Sequence, residues 1–261
     1  MSTINAEQLD TIYQSHSEEE GFERVLMKYK AHAVIQQLKG PRVLDIGCGV
    51  GSLCGQLARQ VHTVVGLEGS PAKLARAKRL NAAPNIDYVC SLFEQWVPPC
   101  TFNSIVCTNV LEHVEDVPAF LQMCAAALSP AGRLILTVPN ARGLHKRIGK
   151  HMGLIEDYFT LTDADVSKGH HRIYDRSRLH AELAAAGFDV QHIGGILLKP
   201  LSHRQMNDWE PSVVDALFEV GKELPDYCSS LIAVATFPSG TETRRVARPV
   251  TIERRPQGTS R

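Results

Sequence analysis

The chain lacks any long hydrophobic run: no stretch of 18 consecutive apolar residues occurs in its 261 residues, which excludes a transmembrane helix as its organising element. Its start, MSTINAEQLDTIYQSHSEEE, has neither the basic nor the apolar region of a signal peptide, so the cytoplasm is the expected compartment. Paired cysteine spacing is missing as well. The seven Cys stand at 48, 54, 90, 100, 107, 124 and 228, with no CxxC and no Cys/His zinc spacing, so reduced thiols and no bound metal are expected. There is no excess of either charge, with 28 Lys plus Arg against 28 Asp plus Glu, and hence no overall field that would draw the chain to nucleic acid or to an anionic membrane.

The balance conceals an asymmetry. From Pro238 to Arg261, six Arg and two Glu make a +4 tail, which leaves −4 on residues 1–237. That tail has no apolar period and is expected to be a disordered basic appendage. The rest, 44% hydrophobic and 21% charged over the whole chain, has ordinary globular composition and enough length for one large domain.

Residues 5–38 carry helical periodicity ending near Gly40, which predicts an N-terminal helical lid over residues 1–39. Short β-rich runs then alternate with helical patterns: RVLDIG (42–47), HTVVGLE (62–68), IDYVCS (86–91), FNSIVCTN (102–109) and RLILTVP (133–139). Near-continuous apolar strands separated by helices predict a parallel sheet covered on both faces. Ser70 ahead of Pro71, and Asp116 ahead of AFLQMCAAAL, are expected N-caps, and Ser129-Pro130-Ala131-Gly132 reads as a turn. Regular alternation lapses over 141–176, an expected substrate or lid insertion. It returns with the helix RSRLHAELAAAGF and two late strands, FDVQHIGGILL and SSLIAVATF, for an α/β, doubly wound, mostly parallel seven-stranded sheet with an antiparallel last strand.

The strongest chemical signal is VLDIGCGVGSL, Val43 to Leu53, a strand entering a glycine-rich turn that opens a helix. Gly47, Gly49 and Gly51 let the backbone approach a ligand, and the spacing G-x-G-x-G differs from the G-x-G-x-x-G of a dinucleotide site. Asp45 beside the loop repels a pyrophosphate and suits an ammonium or sulfonium. Glu68, ending the second strand, is placed to accept ribose hydroxyls. Ser91, Leu92 and Phe93 follow the third strand and Asn109, Val110 and His113 the fourth, all at the carboxyl ends where doubly wound sheets bind ligands.

These residues, together with LSPAGRLILTVPN (128–140) and LHAELAAAGF (179–188), resemble the class I S-adenosylmethionine-dependent methyltransferases over residues 40–237. The resemblance implies S-adenosylmethionine as cofactor, with Asp45, Gly47, Cys48, Gly49 and Gly51 along its methionine moiety, Glu68 and Gly69 at the ribose, and Leu92 and Phe93 flanking adenine. Many members carry an acidic residue on the adenine amine where this chain reads Ser91-Leu92-Phe93-Glu94, which leaves Glu94 or a backbone group for that contact. Tyr29 on the helical lid is a further candidate at the cofactor. Methyl transfer needs donor and acceptor held in line, with a His as the natural proton acceptor. The candidates are His113, His145, His170 and His171, while Asn140 and Tyr174 are expected to orient substrate and face the sulfonium. The expected activity is methylation of N or O on a small molecule, a specialised metabolite, by a monomer or homodimer that needs no nucleic acid and no membrane. Two alternatives stand beside it: cyclisation of the donor to azetidine-2-carboxylate with release of methylthioadenosine, and a catalytically silent cofactor-binding partner.

Overall fold

A computed structural model describes Asp10 and residues 21–238. The remainder of the expected lid before Gly21, and the tail from Gly240 with Ser239, lie outside the described residues.

The sheet has seven strands in the order β3-β2-β1-β4-β5-β7-β6. Strands β1 (Arg42–Ile46), β2 (Thr63–Glu68), β3 (Ile86–Cys90), β4 (Phe102–Thr108) and β5 (Leu128–Pro139) pair in parallel. Strand β7 (Ser230–Thr236) runs antiparallel to both β5 and β6 (Asp189–Ile196). Helices α1 (Gly21–Ile35), α2 (Ser52–Leu57), α3 (Pro71–Leu80), α4 (Val117–Ala127) and α7 (Arg176–Ala185) cover the two faces. The insertion after β5 forms α5 (Leu144–His151) and α6 (Asp163–Ser167), and the excursion between β6 and β7 forms α8 (His203–Met206) and α9 (Pro211–Glu223). Among the described residues, no helix is long and apolar enough to cross a membrane.

Strand pleating builds the core. Leu44, Ile46, Leu67, Ile105, Leu134 and Leu136 pack on one face with α4 and α7, while Val43, Val64, Val106 and Ile135 pack on the other with α1, α2, α3 and α9. Alternate residues of one strand thus fill two separate cores, which is why the strands read as apolar throughout. Punctuation matches the expectations: Ser70 Oγ accepts from Lys73 N at 3.0 Å and Asp116 Oδ1 from Ala119 N at 3.0 Å. Ser129–Gly132 differs. It is a bulge inside a longer β5 rather than a turn before it, because the register steps from Phe102 paired with Leu128 to Ser104 paired with Arg133. Ala131, at φ 57, absorbs the extra chain.

Gly51 shows the cost of closing α2 onto the sheet. Its φ is 77, and a Cβ there would stand 2.2 Å from Tyr88 Oη, a hydroxyl that itself donates to Asn81 O at 3.0 Å. Gly51→Ala is expected to lower stability by about 1–3 kcal/mol in urea denaturation. A Tyr88→Phe partner substitution should return part of that loss, and strict additivity would show that the two residues do not meet as described.

Candidate active site

At the carboxyl ends of the strands lies a cavity of about 540 Å³. It divides along the sheet. One half is walled by the ends of β1, β2, β3 and β4: Ile46, Gly47, Gly49, Glu68, Gly69, Ser91, Leu92, Phe93, Asn109, Val110 and His113 all line it. The other half is walled by Pro139 at the end of β5, Ser229 and Ser230 at the start of β7, Lys199 beyond β6 and His203 on α8, with Glu23, Leu26 and Lys30 of α1 above.

Glu68 organises the first half. Its carboxylate is buried, and Oε2 accepts from Gly49 N at 2.9 Å while Oε1 accepts from Ser70 N at 2.8 Å. Each oxygen keeps a lone pair for a ligand hydroxyl. Gly47, at φ 68, leaves the backbone open because a Cβ would stand 2.7 Å from Val110 Cγ2. Phe93 sits edge-on to Phe120 with ring centroids 5.0 Å apart, so its position is set by packing beneath the cavity wall. Asn109, at φ 54, leads the chain out of β4, its N–H donating to Thr137 O and its Oδ1 accepting from Thr137 Oγ1.

Between the halves stand two histidines and two acids. The His113 and His170 rings meet edge to face at 4.8 Å. His113 Nδ1 lies 3.2 Å from Gly169 O, and His170 Nδ1 lies 3.2 Å from Asp165 Oδ1. Thr162 holds the other Asp165 oxygen from both its hydroxyl, at 2.6 Å, and its N–H, at 2.9 Å. Burial acts to raise the Asp165 pKa, but the hydrogen bonds from His170 and Thr162 outweigh it and hold the carboxyl well below the usual range. Glu112, His113 and His170 also bring one ligand-type atom each within 4.8 Å of one another, a donor set open to a divalent cation.

A family model described as Methyltransferase domain matches residues 18–193. The chain belongs to the class I S-adenosylmethionine-dependent methyltransferases. A ubiquinone biosynthesis O-methyltransferase from Xylella fastidiosa (strain 9a5c) is 35% identical over 175 residues, 64% of this chain and 68% of that protein. A protein of the same name from Bradyrhizobium sp. (strain ORS 278) is 42% identical over 106 residues, so the matched part is 40% of this chain and 42% of the relative's length. The fold resembles that of an S-adenosylmethionine-dependent methyltransferase from Mesorhizobium loti, with a TM-score of 0.57 and 24% identity over 79% of this chain and 95% of the other.

The residues of the first half fit the methyltransferase cofactor: a fixed, buried carboxylate at the second strand for ribose hydroxyls, an open glycine turn, and Leu92 and Phe93 as apolar walls for a purine. Glu94 also lines the cavity, at its exposed rim.

Seven of the expected site residues are turned elsewhere. Asp45 sits one pleat before Ile46, on the α2 side of the sheet, where Cys54 Sγ donates to it at 3.2 Å; it lies beneath the loop rather than in the cavity wall. Cys48 is buried under the same loop, and Gly51 packs on Tyr88. Tyr29 is directed to α9, with its hydroxyl on Asp215 and its ring stacked on Phe218 at 4.7 Å. Asn140 clamps the chain: its amide donates to Asp226 O at 3.1 Å and Cys228 O at 2.9 Å and accepts from Arg142 N at 2.9 Å. Tyr174 is buried in the core, its hydroxyl donating to Glu182 at 2.6 Å. His171 is exposed and contributes its backbone N–H to Glu112 O. In the half of the cavity beyond β5, His145 was a candidate from sequence, but Glu23, Lys30, Asp165, Lys199 and His203 were missed: they carry no motif, and only tertiary contact unites them.

Glu68→Gln replaces one acceptor oxygen by an NH₂ that would face a backbone N–H, so S-adenosylhomocysteine affinity should fall at least about tenfold in calorimetry, with about 1–3 kcal/mol of stability lost. Burial pushes His113 down to about 4 and His145 to about 3, with neighbouring cations adding to both. Both are neutral when folded, while the unfolded chain takes up their protons near pH 6.5. Below that pH the unfolded state binds more protons, so stability falls as pH drops from 6.5 towards 4. His145→Gln should flatten that fall by up to about 1.4 kcal/mol per pH unit, read from thermal or urea midpoints.

Proposed function

We infer that this methyltransferase places a methyl group on a hydroxyl oxygen of a small molecule. The observation that carries the reading is the His170–Asp165 pair at the junction of the two cavity halves. The names of the relatives, O-methyltransferases of ubiquinone biosynthesis, support oxygen rather than nitrogen. When bound, S-adenosylmethionine supplies a methyl carbon on a sulfonium leaving group.

The chain's own part is to position and to take a proton. With Nδ1–H donated to Asp165, His170 keeps Nε2 as its acceptor. That Nε2 would take the proton of an acceptor hydroxyl methylated by the bound donor, whose sulfonium would depart as the neutral thioether of S-adenosylhomocysteine. An imidazole suits a hydroxyl of phenolic acidity, with a pKa of about 10, far better than an aliphatic alcohol. Glu68, Leu92 and Phe93 orient the donor, and Leu26 of α1 with Pro139 gives apolar walls that exclude water. Donor cyclisation gains no support from Asn140 and Tyr174, the residues expected to orient substrate and face the sulfonium, because both are committed to the scaffold through the hydrogen bonds described above.

His170→Ala should reduce kcat by about 10²- to 10⁴-fold while leaving S-adenosylhomocysteine affinity within about twofold, and Asp165→Asn should act the same way more weakly. Turnover of a phenolic acceptor is followed as S-adenosylhomocysteine release. Wild-type rates in His170→Ala, or methylthioadenosine formed without acceptor, would defeat the reading.

A second reading rests on the Glu112, His113 and His170 donor set. A divalent cation held there would acidify the acceptor hydroxyl in place of a His base. Loss of rate on chelation, restored by added cation, selects this second reading; a rate indifferent to chelation selects the first.

A further inference from the structure

The cavity is lined by charges of both signs. On the side that fits the donor these include Glu68, Lys73 and, at the rim, Glu94. The half beyond β5 carries Lys30, only 1% exposed, and Lys199, 7% exposed. Among the described residues neither ammonium has a hydrogen bond or a close ion pair. Lysines this little exposed are usually paired, and both line the cavity, where an anionic ligand would reach them.

The surroundings of Lys199 identify what is missing. The charged groups facing it are Glu23, Lys30, Lys146 and Lys168: one carboxylate among three further lysines. Burial, reinforced by those lysines, lowers Lys199 to about 8, so it remains mostly charged at neutral pH. Glu23 is shared, since its carboxylate also lies 3.3 Å from His203 Nδ1. Burial and the adjacent Lys199 push His203 down to about 4, so that imidazole is neutral and brings no charge. His145, neutral as well, has a buried Nδ1 without a hydrogen-bond partner among the described residues and lines the same half.

The donor does not supply the missing anion. Its ammonium and carboxylate cancel and its sulfonium leaves it net positive, so the donor as a whole leaves the positive excess of the cavity unmatched. Glu23 is the one carboxylate facing Lys199, Lys30, Lys146 and Lys168, so an excess of positive charge remains that an anionic group on the acceptor, a carboxylate, would match.

Building on the methyl-transfer reading, we propose that the acceptor is a carboxylate-bearing hydroxy compound whose carboxylate is held by Lys30 and Lys199 in the cavity half beyond β5. Lys199 and Lys30 then fix the end of the acceptor away from the reacting hydroxyl and set specificity without touching the reacting atoms.

The test uses full-length protein saturated with S-adenosylhomocysteine, so that binding is read without turnover and is independent of whether methyl transfer occurs. The probes are 3,4-dihydroxybenzoate and its methyl ester, compared by calorimetry. The acid should bind at least tenfold more tightly than the ester. Lys199→Met and Lys30→Met should each bring the acid down to the ester's affinity, Lys199→Arg should retain most of the preference, and S-adenosylhomocysteine affinity should be unchanged in all three. Without ligand, Lys199→Met should also melt higher than the wild type, since a buried unmatched charge is gone. Equal binding of acid and ester, or binding of neither, overturns the proposal. A loss in Lys199→Met that falls on S-adenosylhomocysteine also overturns it, because the anion would then be the donor's own carboxylate.

Discussion

The carboxylate of Glu68 is the constraint on which the donor half depends. It ends β2 and draws the N–H of Gly49 and the N–H of Ser70 onto its two oxygens. One bond fixes the glycine turn that follows β1, and the other fixes the entry to α3, whose N-cap is the same Ser70. A buried carboxylate is tolerable because two backbone donors compensate it, and those donors are themselves orphaned groups of a turn and a helix start. The parallel register that sets Asp45 beside Gly66 and Ile46 beside Leu67 brings the three segments to one place. Binding geometry and fold stability therefore share a single set of hydrogen bonds.

Strand pleating then decides which residues serve the ligand. Ile46 and Asp45 are neighbours in sequence, yet one lines the cavity and the other accepts from Cys54 beneath the loop. The same logic turns Tyr29 and Lys30 apart on α1: the phenol stacks on Phe218 of α9 while the ammonium lines the cavity. Asn140 stands at the carboxyl edge of β5, where ligands bind in this fold, but the antiparallel β7 begins beside it and presents carbonyls that its amide satisfies. A polar residue at a functional edge can thus be the clamp that builds the edge.

Much of the fold was legible because local signals agreed with one another. The apolar runs at 42–47, 62–68, 86–91 and 102–109 end at carboxyl edges and alternate with capped helices, and each became a parallel strand within a residue or so of its expected bounds. The bulge at Ala131 was not legible, since a Ser-Pro-Ala-Gly run has the same composition whether it turns the chain or is looped out of a ladder. Helix α9 was equally hidden inside a segment that read only as a long excursion. Of the site, the glycine turn, Glu68 and the residues after β3 and β4 were readable from spacing. His170 was readable as a candidate among four histidines, but its pairing with Asp165 was not.

By itself the sequence determined the doubly wound sheet, the family and the donor half of the cavity. These are encoded in short contiguous stretches whose spacing follows from one strand, one turn and one helix. The acceptor half was decided only by tertiary structure. Glu23 and Lys30 on α1, Asp165 on α6, Lys199 after β6 and His203 on α8 are scattered over about 180 residues of chain and obey no local period. Their meeting rests on the antiparallel return of β7 between β5 and β6 and on the seating of α1 over that edge. Long-range packing of that kind, and the charge it buries, leaves no mark in any window of sequence.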